Sequence, residues 1–194
     1  MRRGVMTAVV VMLGLLIGVG SAALVVGRTV QGAGIRNGPW ATNTKIGTAA
    51  ADPWTRAAVA IAGLLALSPE ETLYFTAFTD AAGAPLRSSH CYRITGRDPS
   101  ARWWSITAYG ADHYLIPNPE NRWSISKTSV ARDADGGFTI AAGRSAPAPN
   151  PLPIGTREPD APFSLTLRLY QPAPEVAAAP ATTPLPAIEA EACG

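Results

Sequence analysis

A run of 22 residues without a charge, residues 5–26, opens the chain and limits what it can fold into. As a helix rising about 1.5 Å per residue it measures roughly 33 Å, enough to cross the hydrocarbon core of a bilayer. A helix on the surface of a globular domain carries a polar face, and this run has none. Arg2 and Arg3 precede it and Arg28 follows. Two readings fit. A cleavable signal would end at Ser21-Ala22-Ala23. A retained single-pass anchor is favoured, because Leu24-Val25-Val26 carries the run past that point. Arg2 and Arg3 then hold the N-terminal tail in the cytoplasm. The rest of the chain faces outward, in the periplasm of a diderm cell, with the membrane as its partner.

The other end is biased in a different way. Residues 171–194 hold 13 Pro or Ala. With few large apolar residues, this tail is expected to be disordered. Between the ends, residues 37–172 carry 12 Lys/Arg and 11 Asp/Glu. That near-neutral balance over one domain's length gives no basic face, so no nucleic-acid partner is expected. The expected layout is a cytoplasmic tail (1–4), the anchor or signal segment (5–26), a spacer (27–48), a β-domain (49–172) and the tail (173–194).

Within the domain, Asp52-Pro53 opens a helix, with Asp52 as N-cap and Pro53 at the first helical position. Trp54, Ala57, Ala58, Ile61, Leu64 and Leu65 form its apolar face, and Ser68-Pro69 stops it. Gly63 falls inside that helix, where a close packing contact would explain it. Thereafter the period is two. Strands are expected at 72–79, 91–95, 103–109, 114–116, 123–126, 138–142 and 163–170. Seven short strands with turns between them define an all-β, antiparallel sandwich with one flanking helix. The link 145–162 holds 6 Pro and cannot be a central strand.

Cys91 and Cys193 are the only cysteines. An oxidising compartment permits a disulfide between them, but a position in a disordered tail weighs against it. No second Cys or His stands at ligand spacing, so no metal site is expected, and no cofactor motif is present.

Several stretches taken in order resemble the domain of unknown function 1214 family. They are Asn37-Gly38-Pro39-Trp40, Asp52-Pro53-Trp54-Thr55-Arg56-Ala57, Ala84-Pro85-Leu86, Arg102-Trp103-Trp104-Ser105-Ile106-Thr107, Asn118-Pro119-Glu120-Asn121-Arg122-Trp123-Ser124, and the segment from Pro162 to Pro172. The resemblance implies a jelly-roll-like sandwich. It implies no catalytic residue. Two departures stand out: Tyr109-Gly110-Ala111-Asp112-His113-Tyr114 after the Trp-Trp strand, and Asn150-Pro151-Leu152-Pro153 where relatives carry Asn-Trp-Leu-Pro.

The candidate ligand contacts are Trp103, Tyr109, Asn118, Asn121, Arg122 and Arg168. Trp104, Ile106 and Ala108 make the more apolar row of their strand and belong to the core. The opposite row, with Trp103 and Tyr109, could receive a sugar or polymer by stacking, or pack against the helix. Asn118, Asn121, Arg122 and Arg168 have the chemistry to bind a carboxylate or phosphate, and equally to fix loops. No catalytic group is assigned. Asp112-His113 reads as a polar turn and His90 as a loop residue without a carboxylate nearby in sequence. Gly143-Arg144-Ser145-Ala146-Pro147 fails as a nucleophile elbow because Pro replaces the last Gly. The expected function is a periplasmic binding or structural module of the envelope, with a glycan or protein partner. The rival is a hydrolase or lyase acting on carbohydrate or lipid.

Overall fold

A computed structural model of the protein describes residues 2–30, 34–144, 149–155 and 158–193. Part of the rejected elbow motif, residues 145–147, lies outside them. The fold is mixed α/β, with an N-terminal helix and two β-sheets. Helix α1 (Arg2–Val30) contains the apolar run and extends past it. Among the described residues it is the one helix long and apolar enough to cross a membrane, and it fits an anchor or a signal sequence alike.

Helix α2 (Pro53–Ala62) starts as its sequence predicts. The Asp52 carboxylate accepts from the Trp54 and Thr55 amides at 2.9 and 3.0 Å. These bonds, with that from the Thr55 hydroxyl, hold the exposed Asp52 below its ordinary pKa. The helix ends earlier than expected. Gly63 takes a left-handed conformation (φ 64°) and caps the last turn. Its role is termination, not close packing. The buried face is also different, with Thr55 and Ala58 inward and Trp54, Ile61 and Leu65 exposed.

The first sheet has six strands, β1 (Ile35–Asn37), β2 (Trp40–Thr42), β3 (Thr72–Ala77), β9 (Phe163–Pro172), β5 (Ala101–Gly110) and β6 (Ser124–Ser126), in that order. All its pairings are antiparallel. The second sheet runs β10 (Ala187–Glu191), β4 (Cys91–Gly96), β7 (Phe138–Gly143) and β8 (Pro151–Pro153). Its β7–β8 pair is parallel, against the antiparallel expectation. Both sheets turn residues into one buried cluster: Phe75, Trp104, Ile106 and Leu167 from the first, Tyr92, Ile94, Ile140 and Ile188 from the second. Trp104 stacks on Phe138 across it, with ring centroids 4.9 Å apart. The Trp104 indole donates to Asp98 at 2.9 Å.

Three segments read differently from their composition. The spacer contributes β1 and β2, and Trp40 is buried with its indole donating to the Pro186 carbonyl at 2.7 Å. Residues 114–116 do not form a strand; Leu115 makes one isolated bridge to Tyr109. The Pro/Ala-rich tail is ordered. It forms helix α3 (Pro174–Ala178) and β10, which pairs with β4 over its whole length. Val176 and Ile188 enter the core, and Asn37 donates to the Pro180 and Thr183 carbonyls. Cys193 reaches Cys91 and the two form a disulfide. A pair of apolar anchors and one covalent bond outweigh the tail's low hydrophobic content. Gly143 makes room for that bond, because a Cβ there would lie 2.9 Å from the Cys91 sulfur.

Candidate functional site

Register places one row of polar side chains on the outer face of the six-stranded sheet. Ser105, Thr107 and Tyr109 of β5 stand opposite Arg168, Thr166 and Ser164 of β9. Tyr74 and Thr76 of β3 stand opposite Arg168 and Thr166. Period-two alternation then sends Leu165, Leu167 and Leu169 to the core and leaves this row outside it.

Helix α2 lies over the row. Between them is a cavity of about 120 Å³, lined by Thr55, Ala58 and Val59 of the helix and by the sheet residues Tyr74, Thr76 and Arg168, among others. The Arg168 guanidinium donates to the Thr107 hydroxyl at 3.2 Å and to the Tyr109 hydroxyl at 2.6 Å. It also lies over the Tyr109 ring, 5.4 Å from its centroid. Arg168 is in none of the ion pairs Arg87–Asp160, Arg93–Glu191, Arg97–Asp135 and Arg132–Asp98. Among the described residues no Asp or Glu lines the cavity. Burial pushes the Tyr74 phenol above its ordinary value. The arrangement is one cation surrounded by hydroxyls in a partly enclosed space, which suits an anionic group with a planar pair of oxygens.

Of the six residues singled out in the sequence, Tyr109 and Arg168 meet in this cavity. Trp103 is on the same sheet face but packs edge-on against Tyr170, 5.2 Å between centroids, and does not line the cavity. Asn118 fixes its own loop, donating to the Ile116 and Arg122 carbonyls and accepting from the Arg122 amide. Asn121 adopts a left-handed conformation (φ 51°), and it and Arg122 are exposed outside the cavity. His113 read in the sequence as part of a polar turn and not as a cavity residue. The Asp112 side chain does accept the Tyr114 amide, as a polar turn should. The turn, however, brings His113 into the cavity wall, with φ 65°. No local signal marks Tyr74 or Thr76 either, since their role depends on pairing with a strand about 90 residues away.

His90 has a carboxylate near it in space. Ser89 donates to Asp160 at 2.7 Å and its oxygen is 3.3 Å from His90 Nδ1. In a nucleophilic triad the imidazole stands between the hydroxyl and the acid. Here the hydroxyl is in the middle and gives its proton to the acid, so the trio fixes a surface loop. Arg87 completes it with a two-pronged bond to Asp160. No group of three or more His, Cys, Asp or Glu among the described residues could hold a metal ion.

These features define a two-sheet protein with a helix-covered, hydroxyl-lined cation pocket. The chain belongs to the DUF1214 family, described as a protein of unknown function, whose pattern matches residues 71–174. It is similar to the VPA0106 protein from Vibrio parahaemolyticus, at 26% identity and a TM-score of 0.57 over 72% of this chain. The match covers 36% of the Vibrio protein, so this chain spans about a third of that length. A putative uncharacterized protein from Burkholderia cenocepacia is 19% identical, with a TM-score of 0.43, over 62% of this chain and 29% of that one. No curated protein matches the chain.

Proposed function

We propose that this protein is a membrane-anchored module of the cell envelope that binds a small organic anion in the cavity between α2 and the six-stranded sheet. The scaffold fits a jelly-roll-like sandwich whose second sheet is extended at one edge by the tail. The observation that carries the reading is Arg168. Its guanidinium is ordered by Thr107 and Tyr109, while no carboxylate neutralises it among the described residues. A half-buried cation kept without a counter-ion is costly unless a ligand supplies the charge. The disulfide supports a location outside the reducing cytoplasm. Arg2 and Arg3 before the apolar run support an inward N-terminus.

The rival, a carbohydrate- or lipid-acting hydrolase or lyase, needs two converging carboxylates or an acid–base pair. The cavity under α2 has no Asp or Glu among the described residues of its wall, so nothing specific favours it.

The test is charge selection by the full chain in lipid nanodiscs. Butanoate, butanol and butylammonium are titrated while amide resonances are followed. Only butanoate should shift Tyr74, Tyr109 and Arg168 in a saturable way. Equal responses to the alcohol or the amine, or no response to the acid, would overturn the reading.

A further inference from the structure

We infer that the ligand is a single-chain amphiphile with a carboxylate head, seated with its head at Arg168 and its tail along α1. The inference rests on the anion-binding reading above and adds the tail, the head group and the route of entry.

A second cavity adjoins the first. It measures about 970 Å³ and shares Val30, Ala41, Thr76, Phe78, His113 and Ser164 with it. The two therefore lie side by side against the same six residues. Their chemistry differs. The second is walled by Val19, Ala22 and Val26 of α1, Ile61 of α2, and Phe78 and Leu86. Its one Lys or Arg is Arg36, which is exposed. A small polar chamber that ends on a cation thus lies beside a larger apolar one, and the proposed ligand spans the two. That sequence of surfaces is complementary to an acyl chain with one charged end.

The head follows from the donor count. A guanidinium has five N–H groups, and two are used on Thr107 and Tyr109. The remaining donors suit a monoanion, and a carboxylate matches the planar fork without needing a second cation. The tail follows from size. The first cavity holds a head group and a few carbons, as in butanoate, whereas the second is large enough for a long chain, each buried methylene contributing roughly fourfold in affinity. The route follows from α1. Val19, Ala22, Ala23, Val26, Gly27 and Val30 of the apolar helix form one wall of the second cavity, so with α1 in the membrane, as proposed above, a ligand reaches it from the lipid phase.

The experiment uses the full chain in phosphatidylcholine nanodiscs. The probe is hexadecanoate with a photoreactive group at its terminal carbon. Competitors are unlabelled hexadecanoate, hexadecanol and hexadecyl phosphate, and butanoate binding is followed in parallel by resonance shifts. Label should appear on the segment holding Phe78 and on α2 at Ile61. Hexadecanoate should displace it at least about tenfold better than hexadecanol, the value of one charge-assisted bond. Arg168→Gln should weaken labelling by a similar factor. Val26→Trp, which fills only the apolar chamber, should abolish labelling while butanoate still binds. It alters the exposed anchor helix, so it keeps the test open if Arg168→Gln fails to fold. If butanoate binds and no label reaches Phe78 or Ile61, the amphiphile inference fails and the anion site stands. If hexadecyl phosphate displaces the probe tenfold better than hexadecanoate, the head assignment is wrong. If neither butanoate nor hexadecanoate binds, both readings fall.

Discussion

Arg168 donates to the Tyr109 hydroxyl at 2.6 Å and lies over the same ring, 5.4 Å from its centroid. The Tyr109 hydroxyl thus holds the cation at the rim of its own ring. Such a contact orders a guanidinium without cancelling its charge, since neither a phenol nor a π-face is an anion. The pocket keeps a full positive charge for whatever enters it.

The Cys91–Cys193 bond closes a loop across 102 residues of sequence. Cross-links over loops of that order stabilise by about 2–5 kcal/mol, chiefly by restricting the unfolded chain. Cys193→Ser should lower the unfolding free energy by that amount and speed amide exchange in β10. Denaturant titration and hydrogen exchange measure both. A loss under about 1 kcal/mol would show that Val176 and Ile188 hold the tail unaided.

The Arg87 guanidinium, with help from Ser89, holds the Asp160 carboxyl down at about 2. A depressed carboxylate stabilises the fold above its unfolded pKa and loses that contribution as pH falls through the folded value. The stability difference between the natural chain and Asp160→Asn should therefore be full above about pH 4 and gone near pH 2. Both groups are exposed, so the difference should be small and should shrink in salt. A difference that persists below pH 2 would contradict this. A second acid, Asp98, is pushed up by desolvation, but its bonds from Arg132 and Trp104 outweigh that, and its pKa is lowered on balance.

Asn150 is buried and spends its whole amide on the backbone. It donates to the Ala131 and Thr139 carbonyls and accepts from the Ala131 amide at 2.7 Å. Asn150→Ala removes the partner of three part-buried backbone groups, each worth up to about 1–3 kcal/mol where water cannot reach it. A destabilisation of at least about 2 kcal/mol is expected in thermal or denaturant unfolding. A change below about 0.5 kcal/mol would mean that water replaces the side chain.

The anchor reading predicts that the protein extracted from membranes keeps residues 1–26. Intact-mass measurement of the natively expressed chain checks it. A mature N-terminus at residue 23 or 24 would establish a signal sequence instead.

Legibility in the sequence followed strict local pattern. Strands β3, β5 and β9 alternate cleanly, and Trp104, Ile106 and Leu167 are buried as their row predicts. The Asp52 cap was readable from two adjacent residues. Strand β10 was not, because Pro184 and Pro186 precede it and its ladder partner is about a hundred residues away. Strand β8 hides for a related reason. It carries two prolines, which an edge position tolerates. For the pocket, Tyr109 and Arg168 were legible as outward polar residues on predicted strands. Their convergence with Tyr74, Thr76 and His113 was not, since it depends on strand order and on a turn. The Asn118–Arg122 motif is marked in the sequence by its role in building a loop.

The central claim is that Arg168 receives an anion. The direct measurement is butanoate affinity in nanodiscs for the natural chain, Arg168→Lys and Arg168→Gln, with Cys91–Cys193 pairing as the check on folding. Affinity should fall about tenfold or more in Arg168→Gln. In Arg168→Lys it should recover only in part, because the charge returns without the fork. Unchanged affinity in a folded Arg168→Gln protein would contradict the account.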